Sequence, residues 1–150
     1  MRKLFVAGMI AFAVAGNAMA HDEGHGPKLA DTGKFGGLVS AVVLKSEADK
    51  GPSAKLLNKS ELVRSADGTA RVYLYDTKMA ALDLAVFEPK ASAIVITKVK
   101  GKNKVTPFAL EVKDGAFVGK MPKVASKPYD IDVTIKKDKQ ELLTAFDNLD

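Results

Sequence analysis

The chain has no cysteine and no tryptophan, and its only imidazoles are His21 and His25. Without cysteine there is no disulfide, no thiolate nucleophile and no thiolate metal site, so stability must come from packing alone. A Ser-His-Asp arrangement would have to draw its base from a polar N-terminal stretch, a poor place for a preorganised group. No glycine-rich phosphate loop occurs, and Asp130 and Asp132 read as the solvent face of a strand rather than as a catalytic carboxylate pair. These gaps point away from an enzyme. Long apolar runs are also scarce, with one stretch near the start and no second one that could span a membrane.

That one stretch is Leu4 to Val14, preceded by Arg2 and Lys3 and followed by Ala15-Gly16-Asn17-Ala18-Met19-Ala20. A positive n-region, a short apolar core and small residues at −3 and −1 make a secretory signal cut after Ala20. The expected product is a periplasmic protein starting at His21, about 130 residues long, enough for one domain with a real core. The chain has 23 basic and 18 acidic side chains. Arg2 and Lys3 leave with the signal, so the processed balance is about +3, too mild and too dispersed for nucleic-acid binding. Stable membrane insertion after processing is not expected either.

Residues 21–34, HDEGHGPKLADTGK, are polar and glycine-rich without periodicity, and read as a flexible arm. From Phe35 on, short apolar or alternating segments follow one another. Leu38 to Leu44 is an apolar strand, and Glu47 to Pro52 a turn or loop. Lys55 to Ser65 and Thr69 to Tyr75 pair as a hairpin through Asp67-Gly68. Leu82, Leu84 and Val86 alternate as a further short strand. Ala93 to Val99 turns through Gly101 into Val105 to Val112, and Asp114-Gly115 leads into Ala116 to Lys120. Ile131, Val133 and Ile135 share one face of another strand. Glu141 to Phe146 forms the last strand, or else a short helix. The total is about seven to nine strands with turn signals roughly every 8–12 residues, the pattern of an all-β antiparallel domain. The expected architecture is an immunoglobulin-like Greek-key sandwich over residues 35–150.

Once the signal is removed, His21 offers its α-amino group and its imidazole as one chelate. His25 adds a nitrogen, and Asp22 and Glu23 add oxygens. Such a donor set suits Cu(II) or another divalent transition metal, and Gly24 and Gly26 would let the arm wrap an ion. A leader without a metal role is the alternative. Met79 and Met121 are soft donors but more commonly gap fillers. Tyr73 and Tyr75 share a strand face, and Lys98, Lys100, Lys102 and Lys104 would share another on a regular strand. Both sets are candidate partner contacts, or else a solvated, aggregation-resistant edge.

The segments Gly36-Gly37-Leu38-Val39, Glu61-Leu62-Val63 and Val72-Tyr73-Leu74-Tyr75-Asp76 resemble small periplasmic β-sandwich proteins associated with copper and cobalt-zinc-cadmium efflux systems. The resemblance covers roughly Phe35 to Leu84. It implies a sandwich and an accessory role beside an efflux adaptor or other envelope protein. That pattern has His before the two glycines and His ahead of Glu-Leu-Val, where this chain has Phe35 and Lys59-Ser60. The resemblance therefore carries the fold more than a metal site. The terminal His21 is similar to that of periplasmic copper-resistance carriers. Two functions are expected: a non-enzymatic accessory that binds or hands over a divalent metal through His21, Asp22, Glu23 and His25, or an interaction module docking an envelope protein through a sheet face or edge.

Overall fold

The computed structural model describes residues 25–150. The expected signal segment, His21, Asp22, Glu23 and Gly24 lie outside the described residues. Eight antiparallel strands are present: β1 (Leu38–Leu44), β2 (Asn58–Arg64), β3 (Thr69–Tyr75), β4 (Lys90–Val99), β5 (Lys102–Lys113), β6 (Ala116–Lys120), β7 (Tyr129–Lys137) and β8 (Gln140–Leu149). Their order around the molecule is β1-β2-β3-β6-β5-β4-β7-β8, and β8 returns to pair with β1 through Val42↔Thr144, Val43↔Leu143 and Leu44↔Leu142.

The all-β antiparallel expectation holds, but the sheet closes into a barrel, and the immunoglobulin-like sandwich is corrected accordingly. A sandwich needs two sheets with separate edges, whereas here one ladder runs all the way round. The inward residues form one core, including Val42, Leu62, Val72, Leu110, Phe117, Ile131, Val133 and Phe146. Eight strands enclose a space that side chains just fill. Alternating inward residues look the same in both architectures, so periodicity alone could not separate them. Ser60 and Thr144 also face inward, and their hydroxyls bond to each other at 2.6 Å, so neither leaves a polar atom unsatisfied in the core.

Two local expectations also change. Leu82 to Val86 is not a strand: Leu84–Val86 forms a 3-10 turn, capped by the Asp83 carboxylate accepting from the Ala85 N–H at 2.9 Å. Leu84 still reaches the core and Leu82 packs against it, but Val86 is exposed, so the three do not share one buried face. The segment Lys45–Ser53 coils into 3-10 turns interrupted at Gly51. At the C-terminal end the strand reading of Glu141 to Phe146 prevails over the helix, because each residue from Gln140 to Phe146 gains a cross-strand partner on β7. Outward positions on the wall carry charge, among them Arg71, Glu111, Asp132 and Lys136. This is the reverse of a membrane-crossing barrel, which turns an apolar belt outward. Among the described residues no helix is long and apolar enough to cross a membrane.

The described part of the arm lies along the outside of β1 and β2. Leu29 packs with Ala41, Val43, Ala54 and Leu56 in a second apolar cluster on that outer face. Asp31 pairs with Lys59 at 2.7 Å.

Candidate functional site

His25 is the one expected metal donor within the described residues. Its Nε2 sits 3.8 Å from Oδ2 of Asp132 on β7, beside a depression of about 330 Å³ that Lys45, Asp49 and Thr134 also line. Among the described residues no three histidine, cysteine or acidic side chains are grouped so that they could hold a metal ion.

The three segments behind the family resemblance meet at one point, the carboxylate of Glu61. Its oxygens accept the backbone N–H groups of Lys34 at 2.9 Å, Phe35 at 2.8 Å and Gly37 at 2.8 Å, and the Tyr75 hydroxyl at 2.7 Å. Glu61 is fully buried although it points away from the barrel core, because residues 33–37 fold over it. Gly36 takes a left-handed turn at φ 73°. A Cβ at Gly37 would fall against the Leu62 carbonyl oxygen, so the glycine pair suits the close crossing of chain over strand. Burial pushes the Glu61 pKa up, but the bonds from Tyr75, Gly37, Phe35 and Lys34 outweigh it and leave it below the ordinary value. Burial, and then the hydrogen bond and charge of Glu61, raise the Tyr75 pKa. A carboxylate so fully engaged anchors the chain rather than acting as a base.

The positions where the resemblance would expect histidine hold other chemistry. Phe35 stacks on Tyr73 with ring centroids 4.1 Å apart, Lys59 is engaged by Asp31, and Ser60 points into the core. Tyr73 and Tyr75 do share the outer face of β3, yet Tyr75 is covered by the chain itself and Tyr73 by Phe35. Lys98, Lys100, Lys102 and Lys104 do not lie along one strand. They surround the tip of the β4–β5 hairpin, with Lys98 opposite Asn103, Lys102 opposite Val99 and Lys104 opposite Thr97.

That tip belongs to the end of the barrel where β2, β4, β6 and β8 finish. Beside it, Arg64, Lys120, Lys123 and Lys127 line an open groove of about 850 Å³ floored by Leu62, Val124 and Tyr129. Arg64 is fixed by donating to the Tyr129 hydroxyl at 2.6 Å and to the Asp150 carbonyl at 2.9 Å. The Lys120 ammonium donates to the Asp67 carbonyl. Against these cations the same end sets, among the described residues, Asp67, Asp130, Asp147 and Asp150.

The opposite end mixes charge evenly. The lysine–carboxylate pairs within the described residues all lie toward it: Lys45–Glu141 at 3.6 Å, Lys50–Glu47 at 3.1 Å, Lys90–Glu111 at 3.5 Å and Lys59–Asp31. None of the four hairpin lysines, nor Lys123 or Lys127, has a carboxylate within 4.0 Å among the described residues. The modest overall excess of positive charge is therefore concentrated at one pole, where a cleft lined by one sign focuses the field. Sequence reasoning missed Arg64, Lys120, Lys123 and Lys127, which are scattered along the chain. Counting strands would have found them, since each residue ends an even-numbered strand or lies in the β6–β7 connection. No protein-family model, curated protein or solved structure matches the chain.

Proposed function

We propose that this is a non-enzymatic, exported binding module of the cell envelope that docks an acidic partner through the basic end of its barrel. The observation that carries this reading is the segregation of charge along the barrel axis, with lysine–carboxylate pairs at one end and, at the other, a groove flanked by hairpin lysines, Lys123 and Lys127 that have no carboxylate within 4.0 Å among the described residues. An acidic partner would recover Coulomb energy that the chain leaves unused, and the field would speed encounter. The test is a fluorescence titration with an oligoglutamate peptide. Binding should weaken steeply as salt rises and be lost when Lys98, Lys100, Lys123 and Lys127 are changed to Gln. Changing Lys136, Lys137 and Lys139 at the other end should leave it intact. Equal loss in both variants would sink the reading.

A second reading is favoured by the placement of His25 beside Asp132. In it, the processed N-terminus captures a divalent metal, with copper the best match, through His21 and His25, while Asp22 or Glu23 offsets charge and the anchored arm brings the donors to β7. Protons compete for these ligands, so affinity should fall with pH. Cu(II) titration of the protein processed at His21 should show tight one-to-one binding. A His21→Ala, His25→Ala variant should lose it, and a free HDEGHG peptide should not equal it. Equal affinity in the peptide would remove the barrel from the site. On this reading the partner is a metal-efflux adaptor.

A further inference from the structure

We infer that the acidic partner of the basic end is an anionic phospholipid surface, on which the β4–β5 hairpin tip seats. This rests on the docking reading above and names its partner. Every residue from Lys98 to Val105 is exposed, so the tip projects beyond the wall on both sides. One face carries Lys98 with Val105, the other Lys102 and Lys104 with Val99. Val99 and Val105 are 42% and 53% exposed. Both faces thus present the same mixture of lysine and bare aliphatic side chain.

A protein wall would cover one face and leave the other exposed. An interfacial headgroup layer surrounds both, taking the valines at its apolar boundary while the lysines reach the phosphates. Tryptophan is absent from the chain, Tyr129 is buried, and the exposed Phe35 is taken up in its stack on Tyr73 of the side wall, so among the described residues the hairpin tip carries no aromatic anchor of the kind that dominates protein hot spots. Leu38, 49% exposed, adds a third bare aliphatic side chain beside the groove. The turn residue Lys100 adopts φ 50°, a left-handed conformation that Asn or Asp fills more comfortably. The same geometry is filled by Asp114 in the β5–β6 turn. A cation is therefore kept at the tip against local preference. The charged outer wall excludes insertion of the whole barrel and leaves attachment by one end.

Each lysine near an anionic bilayer strengthens binding by about five-fold. The protein should co-sediment with phosphatidylcholine vesicles containing phosphatidylglycerol and not with phosphatidylcholine alone. Changing Lys98, Lys100, Lys102 and Lys104 together to Gln should reduce the partition coefficient by at least about 100-fold, while Lys136→Gln with Lys137→Gln should leave it nearly unchanged. Val99→Ser with Val105→Ser should weaken binding without altering its salt dependence. No binding to the anionic vesicles, with oligoglutamate still bound through the same lysines, would overturn the lipid assignment and leave the docking reading standing. Failure with both probes would remove both. Equal loss in the opposite-end variant would overturn the lipid assignment as well.

Discussion

At the scale of single residues, Glu61 is the most constrained side chain on the outer wall. It holds three backbone N–H groups and a phenol hydroxyl with no water access. Glu61→Gln keeps the shape but sets an NH2 against a donor, and should cost about 2–3 kcal/mol in urea unfolding. Tyr75→Phe removes one bond to the charged group and should cost about 2 kcal/mol. The sign with pH follows from the lowered pKa of Glu61. Its stabilisation is complete above the unfolded value of 4.5 and is lost as pH falls through the lower folded value. Wild-type stability should therefore drop in that acid range more steeply than that of Glu61→Gln. Tyr75→Phe should move the drop to higher pH, because one of the bonds lowering the Glu61 pKa is gone. Sequence marked Glu61 only as part of a resemblance. Nothing local shows that residues 24 to 27 positions earlier supply its donors.

At the scale of elements, the hairpins were the most legible parts. Asp67-Gly68 and Asp114-Gly115 announce turns by their residue types, and the strands they join appear as expected. The β4–β5 turn was less clear because lysine stands where Asn or Asp is usual. Lys100→Asn should raise stability by about 0.5 kcal/mol in thermal or urea melts by relieving the left-handed strain. The same change should weaken vesicle binding by about five-fold, since it removes one cation. Opposite signs on stability and binding are the expected mark of a residue kept for contact rather than for folding. The Leu82–Val86 segment shows the converse failure. Three apolar residues at spacing two suggest a strand, but the chain there must cross from β3 to β4, and a capped 3-10 turn makes the crossing.

At the scale of the whole molecule, the arrangement of charge matters more than its sum. A balance of +5 over the full sequence is unremarkable in itself. Antiparallel closure sends the ends of alternate strands to opposite poles, and the cations of the even-numbered ends gather at one of them. Docking by such a pole is salt-sensitive because exposed charges are screened within about 8–10 Å at physiological ionic strength. Folding stability, carried by one apolar core, should respond to salt far less.

The order of apolar and polar residues determined by itself that the chain is all-β, where most strands lie, and which turns join them. Those properties depend on contacts a few residues apart and on a period of two. Tertiary structure alone decided that the eight strands close into a barrel, that the arm is pinned at Glu61, and that the scattered lysines share one pole. Each of these depends on pairing between strands distant in sequence, such as β1 with β8, whose register no local pattern encodes.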